Sequence, residues 1–235
     1  MPQSRTIDHE VFKIKRANSD QASMWDDYEF GRPGHHVFYL NDFFTYTSGQ
    51  WTVTESDAAA TQATTDSHGG VLLLTNGAAD AADMTLQLGE VAGESIACAA
   101  GRTVWFETRL SISDATQSNI VVGLHVTDTS PLASAPADGI YFRKDDGDTN
   151  IDCVARNTSA ESVEAGVTTI GTTMIKLGFK VVGTSQIQFW VNDVLEATLT
   201  TNIPTTEIRP SFTIRNGEAV AKTMSIDYVC IAATR

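Results

Sequence analysis

The chain has 235 residues, of which 42% are hydrophobic and only 19% charged. That length suits one large all-β domain or two small ones, with a weakly charged surface rich in Thr, Ser and Ala. The formal net charge of −13 argues against nucleic acid and anionic membrane surfaces as partners.

No window approaches the about 18–20 apolar residues of a membrane span. The N-terminal MPQSRTIDHEVFKIKRANSD carries no signal-peptide pattern. A soluble protein that does not use the usual leader is expected. Cys98, Cys153 and Cys230 are the only cysteines, and none sits in a CxxC. They read as three reduced, buried thiols, with Cys153 and Cys230 on apolar strand faces. Synthesis in a reducing compartment follows.

Residues 1–35 differ from the rest and read as an extended N-terminal arm. Met24-Trp-Asp-Asp-Tyr-Glu-Phe30 interleaves aromatics with acids and shows neither helical nor strand period. Phe12, Trp25, Tyr28 and Phe30 are too many large side chains to leave in water. Three readings stay open for them: packing along their own domain, reaching a neighbouring subunit or partner, or plain disorder.

From His36 the strand signals begin, and residues 36–235 read as one domain. Val37–Leu40, Gln50–Glu55 and Val71–Thr75 are strands, and Ala58–Thr65 is a surface strand or loop. Met84, Leu86 and Leu88 alternate with Thr85 and Gln87. In Arg102–Asp128, Val104, Phe106, Leu110 and Ile112 take one face. Trp105, Glu107, Arg109 and Ser111 take the other. Ile120, Val122, Leu124 and Val126 form the inner face of the next strand, with His125 pointing outward. After a Pro/Ala/Ser loop at 129–136 come Asp138–Arg143, Ile151–Arg156, Ile175–Val181 and Gln186–Val191. Asn192-Asp193 marks a tight hairpin. Val194–Thr200, Arg209–Arg215 and Thr223–Ile231 close the chain. In the last of these, Met224, Ile226, Tyr228 and Cys230 are expected on one face. A dozen strands with no long helix imply an all-β fold, a two-sheet antiparallel jelly-roll sandwich.

Ile187-Gln-Phe-Trp-Val-Asn-Asp-Val-Leu-Glu-Ala-Thr-Leu199, Ile208–Arg215 and Met224-Ser-Ile-Asp-Tyr-Val229 resemble the concanavalin-like/laminin-G-like jelly roll. Val104-Trp-Phe-Glu-Thr-Arg-Leu110, Val122-Gly-Leu124 and Asp138-Gly-Ile-Tyr-Phe142 look like the same fold in virion structural proteins of tailed bacteriophages. The resemblance spans residues 37–233. It implies a capsid decoration (cement) protein made in the host cytoplasm and carried on the virion surface. Its partners would be the major capsid protein and its own copies, as a homotrimer. The arm lies outside the resemblance.

Glycosidases of this fold resemble one another in a Glu-x-Asp-x-x-Glu strand, which this chain lacks. Glu107 stands alone, and an ion pair with Arg109 on the same face is expected. No Gly-x-Ser-x-Gly elbow and no Gly-rich phosphate loop occur. The expectation is a non-enzyme without cofactor. Asp145, Asp146 and Asp148 form the one cluster that could hold Ca2+, although as a hydrophilic turn they need no ion. The five histidines are scattered, and no metal role is expected for them. Trp51, Trp105 and Trp190 are candidate surface contacts, with three readings open: packing on the second side of a sheet, a subunit interface, or a glycan site. The alternative function is therefore a carbohydrate-binding module of a tail fibre or tail tip.

Overall fold

The computed structural model describes residues 23–25, 28, 34–65, 67, 69–89 and 96–235. The expectations for His9, Phe12, Phe30 and His68 fall outside the described residues. The strands in chain order are β1 (His36–Asn41), β2 (Trp51–Glu55), β3 (Thr61–Thr65), β4 (Val71–Thr75), β5 (Asp83–Leu88), β6 (Ile96–Ala97), β7 (Thr103–Ile112) and β8 (Ser118–His125). They continue with β9 (Gly139–Lys144), β10 (Asn150–Asn157), β11 (Ala160–Thr169), β12 (Ile175–Val182), β13 (Gln186–Val191), β14 (Val194–Leu199), β15 (Glu207–Asn216) and β16 (Thr223–Thr234).

Two antiparallel sheets form a jelly-roll sandwich. The first runs β14-β13-β12-β7-β16-β4-β3, with β1 also paired to β16. The second runs β11-β10-β9-β8-β15-β5-β2, with β6 beside β15. The period-2 pattern explains the assembly. Val104, Phe106, Leu110 and Ile112 face Ile120, Val122 and Leu124 across one continuous apolar core. Phe106 stacks on Phe179 at 5.0 Å between ring centroids, and Phe142 meets Phe189 edge-on at 5.4 Å. Asn192 and Asp193 both take positive φ, as a two-residue hairpin turn requires.

Two expectations change and one strand is added. Trp51 is not a surface contact. It points between the sheets and packs near Phe43 and Phe212, because it sits on the same parity as Val53 in a strand with one face on the core. Tyr228 and Cys230 do not share a face with Met224 and Ile226. A β-bulge between Ile226 and Tyr228 shifts the register on β7 by one residue. Val229, Ile231 and Ala233 then take the core side, and Tyr228, Cys230 and Ala232 face outward. Finally, β11 is a strand that the hydrophobic pattern does not reveal, since its side chains are mostly exposed at a sheet edge.

Both outer faces of the sandwich carry cover. On the second sheet Leu132, from the 129–136 loop, packs on Val121, Tyr141 and Val154. Arg215 clamps that loop by donating to the Leu132 carbonyl at 2.9 Å. On the first sheet the cover comes from Met24, Trp25 and Tyr28.

Candidate functional site

The outward side chains of the first sheet line up in two cross-strand rows. Register places Leu40, Cys230, Glu107, Gly178 and Trp190 in one row. Phe38, Ala232, Trp105, Lys180 and Gln188 form the next. Small residues therefore form a floor, at Gly178 and Ala232, flanked by the indoles of Trp105 and Trp190. Gly in a strand interior commonly marks close approach of another chain segment, and here Met24 fills the space. A Cβ placed on Gly178 would lie 3.0 Å from the Met24 Cε and 3.1 Å from its Sδ.

Met24, Tyr28, Trp105, Trp190 and Ala232 form a cluster separate from the main core, with Trp25 packed against it. Trp25 stacks on Trp105 at 6.3 Å and 13°. Tyr28 meets Trp105 edge-on at 5.4 Å and lies 5.9 Å from Phe38. Directional bonds fix the segment. Trp105 Nε1 donates to the Met24 carbonyl at 3.0 Å, and Trp25 Nε1 donates to Glu107 Oε2 at 2.8 Å. The other Glu107 oxygen accepts from the Tyr228 hydroxyl at 2.6 Å. Arg109 pairs instead with Asp227 at 2.6 Å. The expected Glu107–Arg109 pair is thus replaced, because the bulge at Asp227 brings that carboxylate beside Arg109. The Trp190 Nε1 is buried with no hydrogen-bond partner among the described residues.

Burial, reinforced by Glu107, raises the Tyr228 hydroxyl above its ordinary range. The same two causes push the Cys230 thiol up to about 12. Burial also raises Tyr28. None of these groups is poised for proton transfer near neutrality.

The remaining candidates sit elsewhere. His125 faces outward from β8, yet its ring is completely buried, beside Gln87 and Tyr141. Its Nδ1 donates to the Val126 carbonyl at 2.7 Å, and burial lowers its pKa to about 4. Asp145, Asp146 and Asp148 diverge: Asp145 lies 3.8 Å from Arg143, and Asp148 accepts from the Asn150 amide. The Asp146 carboxylate folds over Gly217, 1.9 Å from where a Cβ would stand. Among the described residues no group of three or more His, Cys, Asp or Glu side chains could hold a metal ion.

Met24, Gly178, Cys230, Tyr228 and Ala232 were not signalled as site residues by the sequence, although the glycine inside the Lys176-Leu-Gly-Phe-Lys180 strand is such a signal in retrospect.

No family model matches the chain, and no curated protein matches it. Solved structures do. The Bacillus licheniformis β-glucanase superposes with a TM-score of 0.58 at 13% identity, covering 83% of this chain and 97% of that one. Peanut lectin gives 0.58 at 11% identity, covering 85% and 97%. The Emp46p carbohydrate recognition domain gives 0.54 at 10%, covering 81% and 94%. The fold is that of the concanavalin-like jelly rolls. It serves glucanases and lectins alike, so the concanavalin-like fold of this chain leaves activity to be argued from its own side chains.

Proposed function

We propose that this protein is a non-catalytic structural protein of a tailed-bacteriophage virion, a capsid decoration protein held by the major capsid protein and by its own copies. One observation carries the non-catalytic part. Glu107, the carboxylate at the centre of the covered face, serves as a double hydrogen-bond acceptor beneath the arm. Glycoside hydrolysis needs a pair of carboxylates flanking an open cleft. The virion assignment is supported by the resemblance of β7, β8 and β9 to phage structural proteins. The aromatic arm and the apolar side chains exposed on β1 suit a protein that works by burying surface on assembly. Many copies on a shell would add up through multivalency.

The test is imaging of particles that carry or lack the protein. Decoration predicts hundreds of copies over the shell. A handful of copies confined to the tail would sink it.

One observation favours a second reading, a carbohydrate-binding module. Trp105 and Trp190 flank a trough in which one indole N–H lacks a partner among the described residues, and peanut lectin and a carbohydrate recognition domain share the fold. A glycan array run with the native chain and with Trp105→Ala and Trp190→Ala separates the readings. Binding lost with either indole supports the module, and no binding by the native chain removes it.

A further inference from the structure

The trough on the first sheet is built to take one short segment. Its floor is Gly178 and Ala232, its walls are Trp105 and Trp190, its acceptor is Glu107 and its donor is the Trp105 indole. The cluster is separate from the core between the sheets. The core residues of the sandwich thus pack on one another independently of the segment seated outside. A receptor of this kind makes the same contacts with an identical segment from another chain, which is the low-cost route to exchanged dimers.

We propose that the Met24–Tyr28 segment is exchanged between two copies of this chain, each copy seating its Trp25 and Tyr28 in the other's Trp105–Trp190 trough. Two further observations favour a second copy as the occupant. First, six residue steps join Tyr28 to Gly34, a reach of at most about 20 Å. An exchanged partner must therefore lie beside β1. Second, that is where apolar surface is left in water. Among the described residues, eight large hydrophobic side chains are exposed, and four of them are Val37, Phe38, Leu40 and Phe44. Phe44 is 73% exposed. Phe38 and Leu40 share the outward face of β1 beside Ala232 and Cys230, and a partner placed by the arm would cover them. The net charge of −13 opposes association of like chains, so the contact must come from apolar burial, which the trough and the patch supply together.

This inference rests on the assembly reading and names one contact within it. Its test uses the purified full chain with no capsid present. Met24 is replaced by a diazirine-bearing amino acid of similar length, the protein is irradiated, and the products are separated under denaturing conditions and mapped. Exchange predicts a covalent product of twice the chain's mass, linked from position 24 to peptides carrying Trp105, Gly178 or Trp190. It also predicts that native chains sediment as dimers and that Trp25→Ala chains with unchanged circular dichroism sediment as monomers. Where Trp25→Ala does not fold, an excess of a synthetic peptide of residues 20–31 makes the same decision by converting native dimers to monomers. Links confined within one chain overturn the exchange, as does a native chain that sediments as a single copy. Neither result touches the decoration reading, which stands on copy number in the particle.

Discussion

Trp25 and Glu107, 82 positions apart in the chain, meet at 2.8 Å, indole nitrogen to carboxylate oxygen. The bond joins Trp25 to the middle of β7. It is backed by Tyr228, whose hydroxyl holds the second oxygen of the same carboxylate at 2.6 Å. Tyr228→Phe removes that donor and leaves the ring in place. The expected cost is about 1–3 kcal/mol, the range for a lost bond that strands a partly buried acceptor. The urea midpoint should fall at unchanged slope. A midpoint equal to that of the native chain would mean that Glu107 is solvated and not held.

The seat of the arm can be read through a thiol. Cys98 and Cys153 lie in the main core, whereas Cys230 lies in the row beside Glu107. Burial holds the Cys98 and Cys230 thiols up at about 12 and raises Cys153 as well. Native chains should therefore react slowly with a thiol reagent at mildly alkaline pH. Trp25→Ala should raise the labelling rate of Cys230 on the order of tenfold or more, the factor that about 1.4 kcal/mol of lost docking gives. Cys98 and Cys153 should keep their rates. Equal acceleration at all three would mean that the whole sandwich loosens.

Much of this was legible in the sequence, and the failures have physical causes. The alternation in Val104–Ile112 and Ile120–Leu124 assigned inner and outer faces correctly, because strands packed on one side obey period 2. The same rule failed past Ile226, where one bulged residue inverts every side chain that follows. It missed β11, whose edge position demands no apolar face. Trp105 and Trp190 were placed outward by parity, but their cover could not be read. Met24–Tyr28 has no period, and its fit depends on Gly178 and Ala232, which lie far along the chain.

Acid should weaken the fold through His125. Its folded pKa is about 4, below the ordinary value of about 6.5, because burial disfavours the imidazolium. Between those values the unfolded chain binds the proton more readily. The stability is therefore intact above about pH 6.5, declines as pH falls toward about 4, and loses on the order of 3 kcal/mol over that window. His125→Gln, which keeps a donor for the Val126 carbonyl, should flatten this part of the profile. Asp114 acts lower on the scale. Amide donors and Lys222 hold its carboxyl well below the usual range, so its contribution is present above about pH 4 and fades beneath it. Chemical denaturation at a series of pH values measures both. A profile flat from pH 7 to 4 in the native chain would show that His125 is hydrated.

Calcium should do nothing to stability, and the reason lies in two lysines. The Lys144 ammonium is buried and donates to the Thr116 carbonyl at 3.2 Å and to that of Ser118. Lys222 bridges Asp114 at 2.8 Å and Glu218 at 2.5 Å. Positive charge thus already sits among the oxygens at this end of the sandwich. Asp145, Asp146 and Asp148 turn to different partners instead of converging, whereas Ca2+ takes six to eight oxygens around one point. Adding Ca2+ at millimolar levels should leave the melting temperature where it is. Lys144→Met should lower stability by about 1–3 kcal/mol with or without the ion, by stranding the two carbonyls. A bound ion would announce itself, since occupancy at a hundredfold over Kd adds about 2.7 kcal/mol. A melting temperature that rises with Ca2+ and returns with chelator would overturn the expectation.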